Sequence, residues 1–187
     1  MNGIHLLAVG DVPQELLEDL RARMARHWQL ACSILPASLD PSFAWHAQRQ
    51  QFHSTQILAR MEGVLQPGIW RVVGVTMADL FVPVLTFVFG EAQISGRCAL
   101  VSAHRLRQEF FGLPADPDLF QERLLKEAVH ELGHTLSLTH CDNHQCVMAA
   151  SHAVEWIDLK SASFCPACSP LAAAEMQAAA SPLAHPW

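Results

Sequence analysis

The stretch that most constrains this chain is "HELGHTLSLTH", residues 130–140. It closes the segment "DPDLFQERLLKEAVHELGHTL" (116–136), which reads as a helix capped by Asp116 with Pro117 at its first position. On a helix, His130 and His134 are four residues apart and share a face, so two imidazole nitrogens can reach one ion. Glu131 lies between them, within reach of a water on that ion. His140 follows six residues after His134. A continuing helix would carry it about 240° round the axis and roughly 9 Å onward, out of reach. The helix must therefore end and the chain turn back before His140. Glycine usually serves such a turn, because positive φ costs it little. Here the residue is Ser137, for which the strain is roughly 1 kcal/mol, far less than metal binding supplies.

A cysteine, Cys141, follows His140 directly. With Cys146, Cys165 and Cys168 it makes four cysteines within 28 residues, in pairs separated by four and two residues. That pattern suits a closed site of four thiolates. The same residues would also allow two disulfides, or a redox C-x2-C. Cys32 and Cys98 stand alone and read as buried apolar thiols. His144 and His152 read as surface histidines. Asp79 suits either support of the site or a turn.

The rest of the chain reads as a sheet with helices packed on it. Strand 3–10, helix 13–28 with Asp11 as cap, and strand 29–36 make a β-α-β opening. Residues 36–46 read as a loop, 47–63 as a helix and 69–76 as a buried strand. Runs 85–93 and 97–106 form a hairpin around Gly96. The first of these is either an edge strand able to pair with an extended peptide or an internal strand. Short helices follow at 152–160 and 171–180. The expected division is 1–136, with the sheet and the histidine helix, and 137–187, with the third histidine, the cysteines and a terminal helix. A length of 187 residues accommodates such a pair of subdomains around a cleft.

Net charge is −6, which disfavours nucleic acid. Only Lys160 among lysines and arginines lies between the cysteines, so a nucleic-acid zinc ribbon is disfavoured too. No run approaches the roughly 18–20 apolar residues of a membrane span, and the N-terminal segment lacks the basic region of a secretory signal. The expectation is a soluble, cytoplasmic protein that binds no membrane.

"HELGHTLSLTH" resembles the metzincin zinc-peptidase pattern HExxHxxGxxH, with Ser137 in the glycine position. The C-x4-C-x-M of Cys141, Cys146 and Met148, and the distal C-x2-C, narrow the resemblance to the archaemetzincin family. "GVTMADLFVPVLTFVFGEAQ" (74–93) is similar to that family as well, keeping Asp79 but placing Met77 where an acidic residue is expected. The 16 residues between Met148 and Cys165 are one fewer than the family spacing. The likeness covers residues 69–168 well and the N-terminal third weakly.

The resemblance implies an α+β, zincin-like fold: a mixed β-sheet with packed helices, an active-site helix, and a small C-terminal zinc-stabilised subdomain. It implies two Zn2+ ions, a catalytic one on His130, His134 and His140 and a structural one on Cys141, Cys146, Cys165 and Cys168. Met148 would form the Met-turn beneath the histidines; without the family context it reads as a core methionine. Glu131 would act as general base toward a zinc-bound water, with a peptide or protein as substrate. Many metzincins add a tyrosine for the oxyanion. This chain has none, which leaves that task to zinc with a backbone N–H or another side chain. The alternative is a catalytically silent zinc-binding interaction module, favoured by Ser137 and opposed by the intact Glu131. Oligomeric state has no signature in the sequence.

Overall fold

The apolar run near the N-terminus forms β1 (Ile4–Val9) in the computed structural model, which describes residues 3–65 and 68–180. Along the chain follow α1 (Gln14–Trp28), β2 (Cys32–Leu39), β3 (Trp45–His46), β4 (Gln51–His53), α2 (Ser54–Val64) and β5 (Arg71–Thr76). Then come β6 (Leu80–Phe81), β7 (Gly90–Ala92), β8 (Cys98–Ser102), α3 (Pro117–Thr135), α4 (Val154–Leu159) and α5 (Cys168–Ala180). Five strands make the main sheet in the order β2-β1-β5-β8-β7. All its pairings are parallel except the last, where β7 runs antiparallel to β8 at the edge. β3, β4 and β6 form a small second sheet.

Alternation along the strands sends side chains to opposite faces. Ile4, Leu6, Val73, Val75, Ala99 and Val101 point to one face and pack with Leu17, Leu20 and Met24 of α1 and Leu124 and Ala128 of α3. Leu7, Val9, Val72, Cys98 and Leu100 point to the other and pack with Ile57, Leu58 and Met61 of α2. Covering both faces explains why the parallel strands read as near-continuous apolar runs. The first of these cores continues into the C-terminal segment through Val147, Met148, Val154, Ile157 and Ala172.

The mixed sheet, packed helices and cysteine-rich C-terminal segment agree with the α+β expectation, while several local boundaries differ. Asp11 does not cap α1; Pro13 occupies the cap position and no side chain caps the helix. Its fixed φ prepares the helical start without a donor. The helix expected from residue 47 begins only at Ser54. Gln50 takes a left-handed conformation, φ 54°, and the Phe52 N–H donates to Asp79 O at 2.8 Å. Tertiary pairing with β6 thus overrides helix propensity. The strand expected over 85–93 is regular only at 90–92. Before it, carbonyls that a ladder would use are taken by side chains: Arg49 Nη2 donates to Leu85 O (2.6 Å) and Thr86 O (3.0 Å), and Gln51 Nε2 donates to Thr86 O (3.0 Å). The 97–106 run is a strand only to Ser102, after which a 3-10 turn covers 104–106. Residues 36–46, expected to be a loop, carry the end of β2, a 3-10 turn and β3.

Candidate active site

α3 begins as its sequence predicts, with Asp116 Oδ1 accepting from Leu119 N–H at 3.0 Å and Pro117 in the first turn. Its far end carries the turn demanded by the spacing of His134 and His140. Ser137 has φ 66°. The Ser137 N–H donates to His134 O (3.1 Å) and the Leu138 N–H to Gly133 O (3.2 Å). These two bonds make a Schellman ending with serine in the usual glycine position. A second strained serine supports it: Ser95, φ 59°, donates its N–H to His134 O (3.1 Å) and shares a 3.0 Å hydroxyl contact with Ser137.

The reversal brings His140 back to the other two histidines. One donor nitrogen each from His130, His134 and His140 lies within 4.8 Å of the others. The ring centroids are 4.7, 5.4 and 5.1 Å apart for the 130–134, 130–140 and 134–140 pairs. Nδ1 of His130 meets Val147 O, and Nδ1 of His134 meets Leu138 O, both at 2.8 Å. Those carbonyls accept an N–H, which places the proton on Nδ1 and leaves the Nε2 lone pair free for a metal. The two Nε2 atoms are 3.2 Å apart, against roughly 3.3 Å for two nitrogens on a tetrahedral zinc. Burial holds all three imidazoles below their usual range, His130 furthest, and the positive Lys160 adds to this. Neutral imidazole is the form that ligates metal. The donor set therefore fits zinc.

Met148 is fully buried against the histidine helix. Its thioether presses against Gly133, where an added Cβ would overlap it and crowd Phe164. The segment is tied to the residue after His140 by the Cys141 N–H, which donates to Met148 O at 3.0 Å.

The four cysteines also converge, with their sulfurs all within 4.8 Å. Cys141 Sγ and Cys165 Sγ are 3.8 Å apart, roughly the separation of two thiolates on one tetrahedral zinc. All six cysteines are free thiols, so neither the disulfide pairing nor a formed C-x2-C bridge is present. The Cys165 N–H donates to Cys146 Sγ at 3.3 Å. Backbone N–H groups of Cys168 and Ala167 bring Cys165 down to about 6. Cys32 and Cys98, by contrast, are pushed up to about 11 and about 12 by burial, as suits inert thiols.

The histidines open onto a cleft of about 580 Å³ walled by β7 and the loop before it, α3, and residues 150–152. Glu131 lines it, only 5 % exposed. Its side chain lies directly against the backbone of β7: a Cβ on Gly90 would come within 2.6 Å of Glu131 Cγ and Oε1. Burial, then the neighbouring Glu127 carboxylate, raises Glu131 well above the usual carboxylate range, and Lys160 opposes the shift. A carboxylate tuned upward suits a group that must accept a proton and return it.

Sequence reasoning missed three residues here. Glu127, one turn before Glu131, lines the cleft while almost fully buried. Lys160, equally buried, approaches Glu127 Oε1 to 2.8 Å and donates to Ala149 O at 3.3 Å. The contact with Oε1 is ionic, since its direction makes no hydrogen bond at that oxygen. Two glutamates four apart on a buried helix face were the available signal, because such a pair demands a compensating cation. Gly90 left no local signal. Asp79 lies outside the cleft lining, held by Arg105 through two 2.7 Å bonds. His144 is exposed and lies outside both groups of candidate ligands; His152 is also exposed but does line the cleft.

Lys160→Met is expected to lower stability by about 3–5 kcal/mol, because it strands the Glu127 charge in a buried site. The double variant with Glu127→Leu should recover most of that loss in chemical denaturation, since both charges are then gone.

A helix bearing two histidines and a glutamate, a third histidine returned by a left-handed turn, and a methionine packed against that helix at Gly133 define a zinc metallopeptidase of the metzincin type. Comparison with known proteins places it more closely. Residues 59–173 match the model of peptidase family M54. The archaemetzincin of Methanocaldococcus jannaschii is 43% identical over 160 residues, covering 86% of this chain and 87% of its own. That of Archaeoglobus fulgidus is 42% identical over 158 residues, covering 84% and 91%. The crystal structure of the A. fulgidus protein superimposes with a TM-score of 0.78 at 37% identity, covering 90% of this chain and 99% of that one. A zinc-dependent peptidase from Methanocorpusculum labreanum gives a TM-score of 0.80 at 29% identity, covering 91% and 100%. The chain belongs to peptidase family M54, the archaemetzincins.

Proposed function

We propose that His130, His134 and His140 hold a catalytic zinc, that Cys141, Cys146, Cys165 and Cys168 hold a second, structural zinc, and that Glu131 is the general base of peptide-bond hydrolysis. The observation that carries this is the convergence of three neutral imidazoles at the wall of a cleft into which Glu131 also projects. Zinc, when bound, supplies Lewis-acid activation of water and of the scissile carbonyl. Glu131 takes a proton from the attacking water as its oxygen bonds to the carbonyl carbon. It then delivers that proton to the amine nitrogen as the C–N bond breaks. Among the described residues β7 has one edge without a partner strand, which gives an extended peptide a strand to lie along. Met148 supplies the apolar floor. Residues 137–187, described as far as 180, form the smaller subdomain, which lines the cleft through His140 and residues 150–152 and carries the structural zinc. The six free thiols favour a reducing, cytoplasmic setting.

The test is zinc analysis of protein purified under reducing conditions, together with cleavage of a mixed peptide library. About two zinc ions per chain and chelator-sensitive cleavage are expected. A single ion that survives removal of Cys165 and Cys168 would contradict the four-cysteine site. No cleavage by the two-zinc form would contradict the catalytic assignment.

A further inference from the structure

Peptide hydrolysis places negative charge on the scissile carbonyl oxygen, and a fixed hydrogen-bond donor there is worth a large share of the rate. Among the described residues lining the cleft there is no lysine, arginine, asparagine, glutamine, tyrosine or tryptophan. Apart from the three converging histidines, the side-chain donors are Thr86, Ser151 and His152. Thr86 belongs to the rim loop before β7, the wall along which a peptide's own backbone would run. The Ser151 hydroxyl is shielded from solvent and has no hydrogen-bond partner among the described residues. His152 is exposed to the cleft. Its ring is held edge-on against Trp156, with centroids 5.3 Å apart and planes at 68°. It lines the same cleft as His140 and Glu131.

We propose that His152 is a catalytic residue that donates a ring N–H to the scissile carbonyl oxygen as that oxygen becomes an oxyanion. A neutral imidazole always carries one N–H, so the role needs no change of protonation. His152 forms no covalent bond to substrate and exchanges no proton; its hydrogen bond only stabilises charge. The inference rests on the peptidase reading above and assigns to His152 the task that a tyrosine performs in many metzincins.

The experiment compares wild-type protein with His152→Ala and His152→Gln, all zinc-loaded, on a fluorogenic peptide drawn from the library that the wild type cleaves. His152→Ala is expected to lose about 10²-fold in kcat with KM within about twofold. Zinc content and melting temperature should stay at wild-type values, because the side chain is exposed. His152→Gln, which keeps an N–H donor, should recover at least part of the loss. A second readout needs no turnover: calorimetric affinity for a phosphinic dipeptide, whose tetrahedral anion mimics the oxyanion, against a thiol-bearing dipeptide that has none. The alanine variant should weaken the phosphinic ligand about 10²-fold and leave the thiol ligand unchanged. Retained kcat in His152→Ala, or equal weakening of both ligands, overturns the proposal. If the wild type cleaves no peptide, the peptidase reading fails by that result alone, and the two affinities still decide whether His152 recognises an oxyanion.

Discussion

Glu131→Gln is expected to keep the wild-type zinc content and to lose about 10²–10⁴-fold in kcat. Glutamine has nearly the same shape, so the packing against Gly90 that sets the side chain's position is kept. His130 and His134 are oriented by Val147 O and Leu138 O, and the substitution touches neither. Removing a buried carboxylate beside Glu127 also relieves like-charge repulsion. Thermal stability should therefore hold or rise while activity falls. Turnover, zinc content and melting temperature measured on one preparation separate these effects. Undiminished hydrolysis would remove Glu131 from the mechanism.

Cys168→Ser is expected to have the largest effect on stability. A structural zinc in small domains contributes roughly 10–16 kcal/mol of binding free energy, comparable to the whole stability of a typical domain. Losing even a few kcal/mol of it lowers the melting temperature by about 10 °C in a chain of this size. The effect should also reach the histidine site. Cys141 is bonded through its backbone to Met148, Val147 orients His130, and His140 immediately precedes Cys141. The histidine-bound zinc is expected to weaken by about 10–100-fold, as when supporting groups of metal ligands are removed. Competition with a chromogenic chelator resolves the two proposed ions. Wild-type affinity for the remaining ion would show that the sites are independent.

Much of this architecture is legible in local sequence. α3 announces itself through Asp116, Pro117 and its apolar spacing, and the turn at Ser137 follows from the distance between His134 and His140. Such features depend on neighbours along the chain. The boundaries of β4, α2 and β7 were misread for the opposite reason. The Phe52 N–H bonds to Asp79 O, and Arg49 and Gln51 occupy the carbonyls of Leu85 and Thr86, partners 27 to 37 residues away. The Glu127–Lys160 pair spans 33 residues, and the fit of Gly90 to Glu131 joins a strand to a helix. No periodicity reports such meetings, although the buried glutamate pair on α3 hinted that one was required.

The rim above the cleft shows what these distant contacts achieve. Arg49 and Gln51 grip the loop at Leu85 and Thr86 from behind, and Gln51 is itself anchored on Asp79 at 2.9 Å. This jaw is fixed before anything enters. The entropic cost of straightening a polypeptide to fit falls on the incoming chain. Short or already unfolded polypeptides meet that cost easily, and compact folded proteins do not.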